Sequence, residues 1–389
     1  MGNRRPVIVG IADAPLENGV LAGGANDLEI QARTAKAALD EAGLTLSDVD
    51  GLFTAGLWGI PGPGQFPTLA LSEYLGIRPK FSDGTNIGGS AFEAHLGHAA
   101  MAIEAGLVTV ALITYGSTQK SLKSRDLKGR PAVLNFQFET PYGLPTPVGA
   151  YAMAARRHMH EYGTTPEALA EIAVATRKWA MKNPAAMMRE PLTVDDVLKS
   201  PMIADPLHLL DCCLVTDGGG AIVVTTEARA RDLKTKPIHV RGHGESQTHL
   251  TIAAMPDLAT HTAAVESGKR AFAMAGIGPD GIDVAQIYDS FTITVLLTLE
   301  ALGFCGRGEG SAFVAKGRTA PGGAFPMNTS GGGLSYAHPG MFGIFLLIEA
   351  VRQLRGEAGE RQVEGARTAI AHGTGGVLSS GATCILSNH

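Results

Sequence analysis

Ala38–Asp50 reads ALDEAGLTLSDVD, and Ala271–Asp283 reads AFAMAGIGPDGID. Ala42-Gly43 matches Ala275-Gly276, and Val49-Asp50 matches Ile282-Asp283. Both matches fall at one spacing of 233 residues (43 to 276, 50 to 283), so no gap is needed. Each copy reads as an amphipathic helix, a glycine turn and a strand that opens after Asp. The strands are VDGLFTA in the first copy and IDVAQIYDSF in the second. A strand-like run precedes each: PVIVGIA (Pro6 to Ala12) and PIHVRGHG (Pro237 to Gly244).

The correspondence continues downstream. Ala91 to Ala105 is a helix pattern followed by the buried-strand run Val108 to Thr114. Met341 to Leu354 is a second helix pattern followed by TAIAH, Thr368 to His372. Two copies of such a unit predict two layered α/β halves with parallel-rich sheets. We expect an N-terminal half over 1–235 and a C-terminal half over 236–389. An insertion from about Lys120 to Met202 interrupts the first half. Its start is basic (Lys120, Lys123, Arg125, Lys128, Arg130), and helices are expected around Tyr151–Tyr162 and Pro166–Lys182.

The totals agree with this reading. The 389 residues suggest two or three cores, and a 45% apolar content can fill them. Fifty glycines suit tight strand–helix joints. A net charge of −5 gives no general attraction to nucleic acid or to an anionic membrane. The N-terminus runs straight into a strand, so no signal peptide is expected. No apolar run reaches the roughly 18–20 residues of a membrane helix. Cys212, Cys213, Cys305 and Cys384 form neither a zinc nor a disulfide framework; a reducing cytoplasm is expected, with Cys212 and Cys213 packed.

Five motifs in order resemble the thiolase superfamily over nearly the whole chain. Asn86-Ile87-Gly88-Gly89-Ser90 resembles the segment that carries the thiolase nucleophile. DCCLVTDGGGA (Asp211 to Ala221) resembles a turn of the sterol-carrier-protein branch. Tyr288-Asp289-Ser290-Phe291 stands where the family has Asn-Glu-Ala-Phe or His-Asp-Cys-Phe. Thr329 to Gly343, TSGGGLSYAHPGMFG, resembles the Gly-His-Pro signature. His372-Gly373-Thr374-Gly375-Gly376 stands in place of the C-terminal Cys-x-Gly. The resemblance implies two pseudo-repeated βαβαβαββ halves in a five-layered α-β-α-β-α core, with a loop-domain insertion.

At the nucleophile position the chain has Gly89, so the acyl-cysteine of a thiolase cannot form there. Ser90 beside it reads either as a helix-start residue or as a substitute nucleophile. A glycine-rich helix start (Gly89, Ser90) can still hold a thioester oxyanion through its backbone N–H groups, with Gly376 as a further contributor. By the resemblance, His338 polarises the thioester and moves protons. His372 replaces the family's basic cysteine. Tyr288 replaces the residue that holds an oxyanion-hole water; it reads as a phenol donor or as a packed strand-end ring. Tyr336 is a further acid–base candidate. Asn86, His249 and Asp289 are expected around the substrate pocket, His249 as part of its wall.

An oxyanion site with histidine and tyrosines, but no thiol, suits retro-aldol cleavage of a β-hydroxyacyl-CoA through a thioester enolate. Thiolase-like aldolases of steroid side-chain breakdown, which this site pattern resembles, work in that way. They imply a homodimer, a small OB-fold and zinc-ribbon partner, CoA as part of the substrate, and no separate cofactor or metal. Two other readings stay open: an acyltransferase with a non-standard nucleophile, and a non-catalytic CoA-binding scaffold. The sequence does not decide between Tyr288, Tyr336, His338 and His372 as the base.

Overall fold

A computed structural model describes residues 4–21, 23–56, 66–123, 134–144, 147–260 and 262–389. Nine strands form the main sheet: β1 (Pro6–Asp13), β2 (Gly51–Thr54), β3 (Phe81–Asp83), β4 (Val110–Ser117), β5 (Gly218–Thr226), β6 (Ile238–Gln247), β7 (Val284–Ile287), β8 (Thr368–Gly375) and β9 (Ser380–Ser387). Their spatial order is β7-β8-β9-β6-β1-β5-β4-β2-β3. Outward from the centre, β1-β5-β4-β2 on one side repeats as β6-β9-β8-β7 on the other. The two groups join where β1 meets β6, through the pairs Val7↔His239 and Ile8↔Ile238. The β2–β3, β2–β4 and β7–β8 pairs are parallel, the pattern that a helical crossover produces, whereas the other five pairs are antiparallel, so the sheet is mixed and not parallel-rich as expected.

Seven longer helices matter for the site: α1 (Asp27–Ala42), α2 (Ala91–Glu104), α3 (Val148–Tyr162), α4 (Pro166–Ala180), α5 (Ala264–Ala275), α6 (Thr292–Ala301) and α7 (Gly343–Arg355). Helix α2 touches β4 and β2 of one group and β6, β8 and β9 of the other. Helix α7 likewise touches β1 and β5 as well as β7 and β8. Both lie between the two groups of strands, while α1 covers β1 and β5, and α5 covers β6 and β9. This is the α-β-α-β-α layering. The central helices are apolar around most of their circumference, as a buried helix must be. Eleven of the 14 residues of α2 and eleven of the 13 of α7 are buried.

The repeated residues have repeated tasks. Gly43 (φ 79°) and Gly276 (φ 69°) both end their helices in the left-handed region, where glycine carries no steric cost. The Asp50 carboxylate accepts from the N–H groups of Thr109 and Val110 at the start of β4. Asp283 accepts from Arg367 and Thr368 at the start of β8. Each aspartate ties its strand to the neighbouring parallel one, which explains why Gly and Asp recur in register. The expected insertion helices are present as α3 and α4. Of its basic start, Arg125, Lys128 and Arg130 lie outside the described residues, and Lys120 donates to the Asn18 carbonyl. No helix among the described residues is long and apolar enough to cross a membrane.

Candidate active site

The opening of α2 is shaped by close backbone approach. A Cβ on Gly88 (φ +73°) would lie 2.9 Å from Gly375 Cα and 3.1 Å from Gly376 N. A Cβ on Gly89 would lie 2.4 and 2.6 Å from Cε2 and Cζ of Tyr288, and 2.5 Å from the Thr374 carbonyl oxygen. No side chain fits at 89 while Tyr288 holds its place, so glycine there is a steric requirement. Ser90 sits at the expected helix start, fully buried. Its hydroxyl caps no N–H; it lies 3.1 Å from the Ile87 carbonyl and 2.9 Å from the Ser380 hydroxyl. Asn86 is exposed, and its side-chain oxygen accepts from Gly88 N–H at 3.2 Å.

Tyr288 follows β7 directly, and its N–H donates to the His372 carbonyl at 3.0 Å. Its ring stands edge-on to His338 and to Phe342, with centroids 5.6 and 5.9 Å away. The hydroxyl is hydrogen-bonded to His338 Nε2 at 2.9 Å and accepts from Phe342 N–H at 3.1 Å. In the tautomer that carries its hydrogen on Nδ1, His338 accepts the phenol hydrogen at Nε2 while the phenol oxygen accepts from Phe342. Burial pushes the Tyr288 phenol well above its ordinary range, so it is a neutral donor at neutral pH.

The loop that carries His338 is held from several sides. Thr216 grips it twice: its hydroxyl accepts from His338 N–H at 3.0 Å, and its N–H donates to the His338 carbonyl at 3.2 Å. The Tyr115 hydroxyl donates to the Pro339 carbonyl at 2.5 Å and accepts from Met341 N–H at 3.2 Å. Asp289, wholly buried, accepts from Gly333 N–H at 2.6 Å and Leu334 N–H at 3.2 Å. A Cβ on Gly332 would overlap the Asp289 carboxyl at 2.0 Å, so this glycine also answers to close approach. Burial pushes the Asp289 carboxyl up to about 7 despite those two N–H donors. Asp289 therefore organises the loop from beneath, as a capping carboxylate.

The side chains of Tyr336 and His372 bond to groups other than the Tyr288–His338 pair. The Tyr336 hydroxyl donates to Asp13, which is also paired with Arg352 at 2.5 Å. Burial would raise Asp13, but the Arg352 charge and the hydrogen bonds from Arg352 and Tyr336 outweigh it and hold the carboxyl low. Tyr336 thus anchors the loop to the end of β1. His372 Nδ1 is 2.8 Å from the Thr383 hydroxyl, which lies 3.0 Å from Ser267 of α5. Its neighbour Gly373 faces α2 instead, since a Cβ there would meet Glu93 Oε2 at 2.2 Å. Strand alternation therefore puts His372 on the sheet face opposite the central helices. Burial pushes its imidazole down to about 3, so it stays neutral.

The remaining expected residues line the turn after β8. Gly376 (φ +64°) is exposed, and its carbonyl accepts from the Tyr151 hydroxyl at 3.1 Å. His249 Nε2 donates to the Val377 carbonyl at 2.8 Å, so it supports this turn. The sequence reading passed over Tyr115, Thr216 and Tyr151. Among the described residues, no group of three His, Cys, Asp or Glu side chains is placed to hold a metal.

The chain is similar to known proteins in a way that agrees with this site. Residues 244–388 match the thiolase C-terminal domain-like family. The chain is 37% identical, over 92% of its length and 94% of the relative's, to the 17-hydroxy-3-oxo-4-pregnene-20-carboxyl-CoA lyase of Mycobacterium tuberculosis. It is 33% identical to the acetyl-CoA acetyltransferase of Methanothermobacter thermautotrophicus, over 90% of this chain and 91% of that one. Among solved structures, the Ltp2-ChsH2(DUF35) aldolase superposes with a TM-score of 0.87 and 33% identity, over 100% of this chain and 98% of the other. With the double strand order, the thiol-free helix opening and the His338 loop, these similarities place the chain in the thiolase superfamily, in the branch that holds the sterol-carrier-protein thiolases and the steroid side-chain aldolases.

Proposed function

We propose that this chain is an acyl-CoA lyase that cleaves a β-hydroxyacyl-CoA by a retro-aldol reaction. The observation that carries this is the Tyr288 phenol, hydrogen-bonded to His338 and filling the space that a side chain at 89 would need. The substrate hydroxyl gives its proton to the Tyr288 oxygen as the phenol passes its own proton to His338 Nε2. The bond between the α- and β-carbons breaks, a ketone or aldehyde leaves, and the electron pair remains as a thioester enolate. Backbone N–H groups at the start of α2 stabilise the enolate oxygen. The imidazolium returns its proton through Tyr288 to the α-carbon, which resets the pair. No covalent intermediate forms.

The lyase of M. tuberculosis is named for a steroid carboxyl-CoA, so a steroid side-chain thioester is the first substrate to offer. The aldolase structure is named for two components, which supports a small partner protein for this chain as well. We include a homodimer and a cytoplasmic location in the same proposal. An acyltransferase would need a nucleophile at the helix opening, and the Ser90 hydroxyl is bound to Ile87 and Ser380 instead.

The test is product analysis by mass spectrometry, with purified chain alone and with co-purified partner. A shortened acyl-CoA and a carbonyl product from β-hydroxyacyl-CoA, without added CoA, is the expected result. Cleavage of β-ketoacyl-CoA that depends on added CoA would replace the lyase with a thiolase.

A further inference from the structure

Glu93 is the third residue of α2 and is 1% exposed. Neither carboxyl oxygen has a hydrogen-bond partner. Buried carboxyls without partners are rare enough to need an explanation. This one lies between the openings of both central helices. A Cβ on Gly343, the first residue of α7, would fall 2.3 Å from Glu93 Oε2 and 2.4 Å from the Gly89 carbonyl oxygen. A Cβ on Gly373 would fall 2.2 Å from the same Oε2 and 2.8 Å from Ser90 Cα. Two glycines on two other elements thus leave room for one acid. Gly343 directly follows Phe342, whose N–H holds the Tyr288 hydroxyl.

A helix start carries roughly half a positive charge, and an anion there is attracted to it. At the start of α2 and α7 that attraction is needed by the enolate oxygen. A carboxylate in the first turn would draw off the same potential in a low-dielectric layer, where charges act strongly. A neutral acid would not. We propose that Glu93 is a positioning residue that stays protonated during turnover and so leaves the potential of both helix openings to the substrate oxyanion. This rests on the lyase reading above.

The surroundings favour the neutral form. Among the described residues, α7 brings no cation to Glu93; its Glu349 is paired with Arg361. Strand β9 brings Cys384, whose thiol donates to the Glu93 carbonyl at 3.3 Å and is itself pushed up by burial. Strand β8 brings Gly373, while His372 faces the other way. On α2, His95 is wholly buried and held neutral, pushed down to about 4 by burial. Burial raises Glu93 itself to about 8, against the opposing pull of its own backbone N–H.

The experiment compares the full chain with Glu93→Gln, with its partner protein where one is required. Infrared spectra at pH 7 should contain a protonated-carboxyl band that Glu93→Gln lacks and that fades as pH passes about 8. The rate of Glu93→Gln relative to the unaltered chain should rise roughly tenfold from pH 7 to pH 9, because only the unaltered chain ionises there. Glu93→Met, an apolar near-isostere, should show the same rising ratio if Glu93→Gln does not fold. A missing band at pH 7, or a ratio that stays flat with pH, overturns the proposal. A band that titrates as expected in a chain that cleaves no hydroxyacyl-CoA instead overturns the lyase reading, and with it the catalytic purpose given to Glu93.

Discussion

The two central helices begin in opposite ways. The start of α2 has been stripped: Gly88 and Gly89 offer backbone alone, and the one hydroxyl, Ser90, is bonded away from the site. The start of α7 has been furnished: His338, Phe342 and the hydroxyls of Tyr288 and Tyr115 converge within the turn that precedes it. The contrast teaches that the bare position 89 and the Tyr288 ring are two halves of one packing arrangement. The ring that brings a phenol to His338 occupies the volume that position 89 gives up.

Removing the furnished side is the strongest way to break this contrast. Tyr288→Phe keeps the ring in place and deletes the proton carrier. It should lower kcat by about 10²–10⁴-fold with little change in the far-ultraviolet circular dichroism spectrum. A loss below tenfold would show that Tyr288 only fills space. The two histidines sharpen the contrast further. His338→Ala should cost about 10²-fold or more in kcat/KM, whereas His372→Asn, on the far face of the sheet, should cost less than about tenfold. Equal losses would bring His372 back into the reaction.

The stripped side should respond in stability. Gly89→Ala places a Cβ inside the Tyr288 ring and against the Thr374 carbonyl, and should destabilise the chain by about 1–3 kcal/mol in urea unfolding. Pairing it with Tyr288→Ala should return part of that loss, because the two side chains compete for one volume. Purely additive losses would mean that the ring is not the obstacle. The smallest effect concerns pH. His372 is held down to about 3 in the folded chain against an ordinary value near 6.5. Its neutral form therefore contributes stability that is present above about 6.5 and is lost as pH falls toward about 3. Melting temperatures of His372→Asn should fall less steeply than those of the unaltered chain across that window.

Local demands made much of the fold legible. Gly43 and Gly276 recur because a left-handed helix end suits glycine, and Asp50 and Asp283 recur because each must hold two strand N–H groups. Such residues answer to their own neighbourhood, so their spacing survives as a pattern in sequence. His338 and Tyr288 were legible through the motifs around them. Tyr115 and Thr216 were not, because their tasks exist only once segments 224 and 122 positions away are packed beside them. Glu93 gave no signal for the same reason: an acid in the first turn of a helix is ordinary until a second helix start closes over it. His372 could have been placed better. Ile370, His372 and Thr374 share one strand face and Ala371 and Gly373 the other, so the alternation was already written there.

The contact between Gly89 and Tyr288 also ties the two positions together in descent. A single codon change that restored a cysteine at 89 would meet the phenol ring and the Thr374 carbonyl at once, and the chain would lose fold stability before it regained a nucleophile. A change at Tyr288 alone would open the space and bring no thiol into it. A thiol at 89 and a ring at 288 therefore exclude one another, and both positions would have to change together for either to be exchanged.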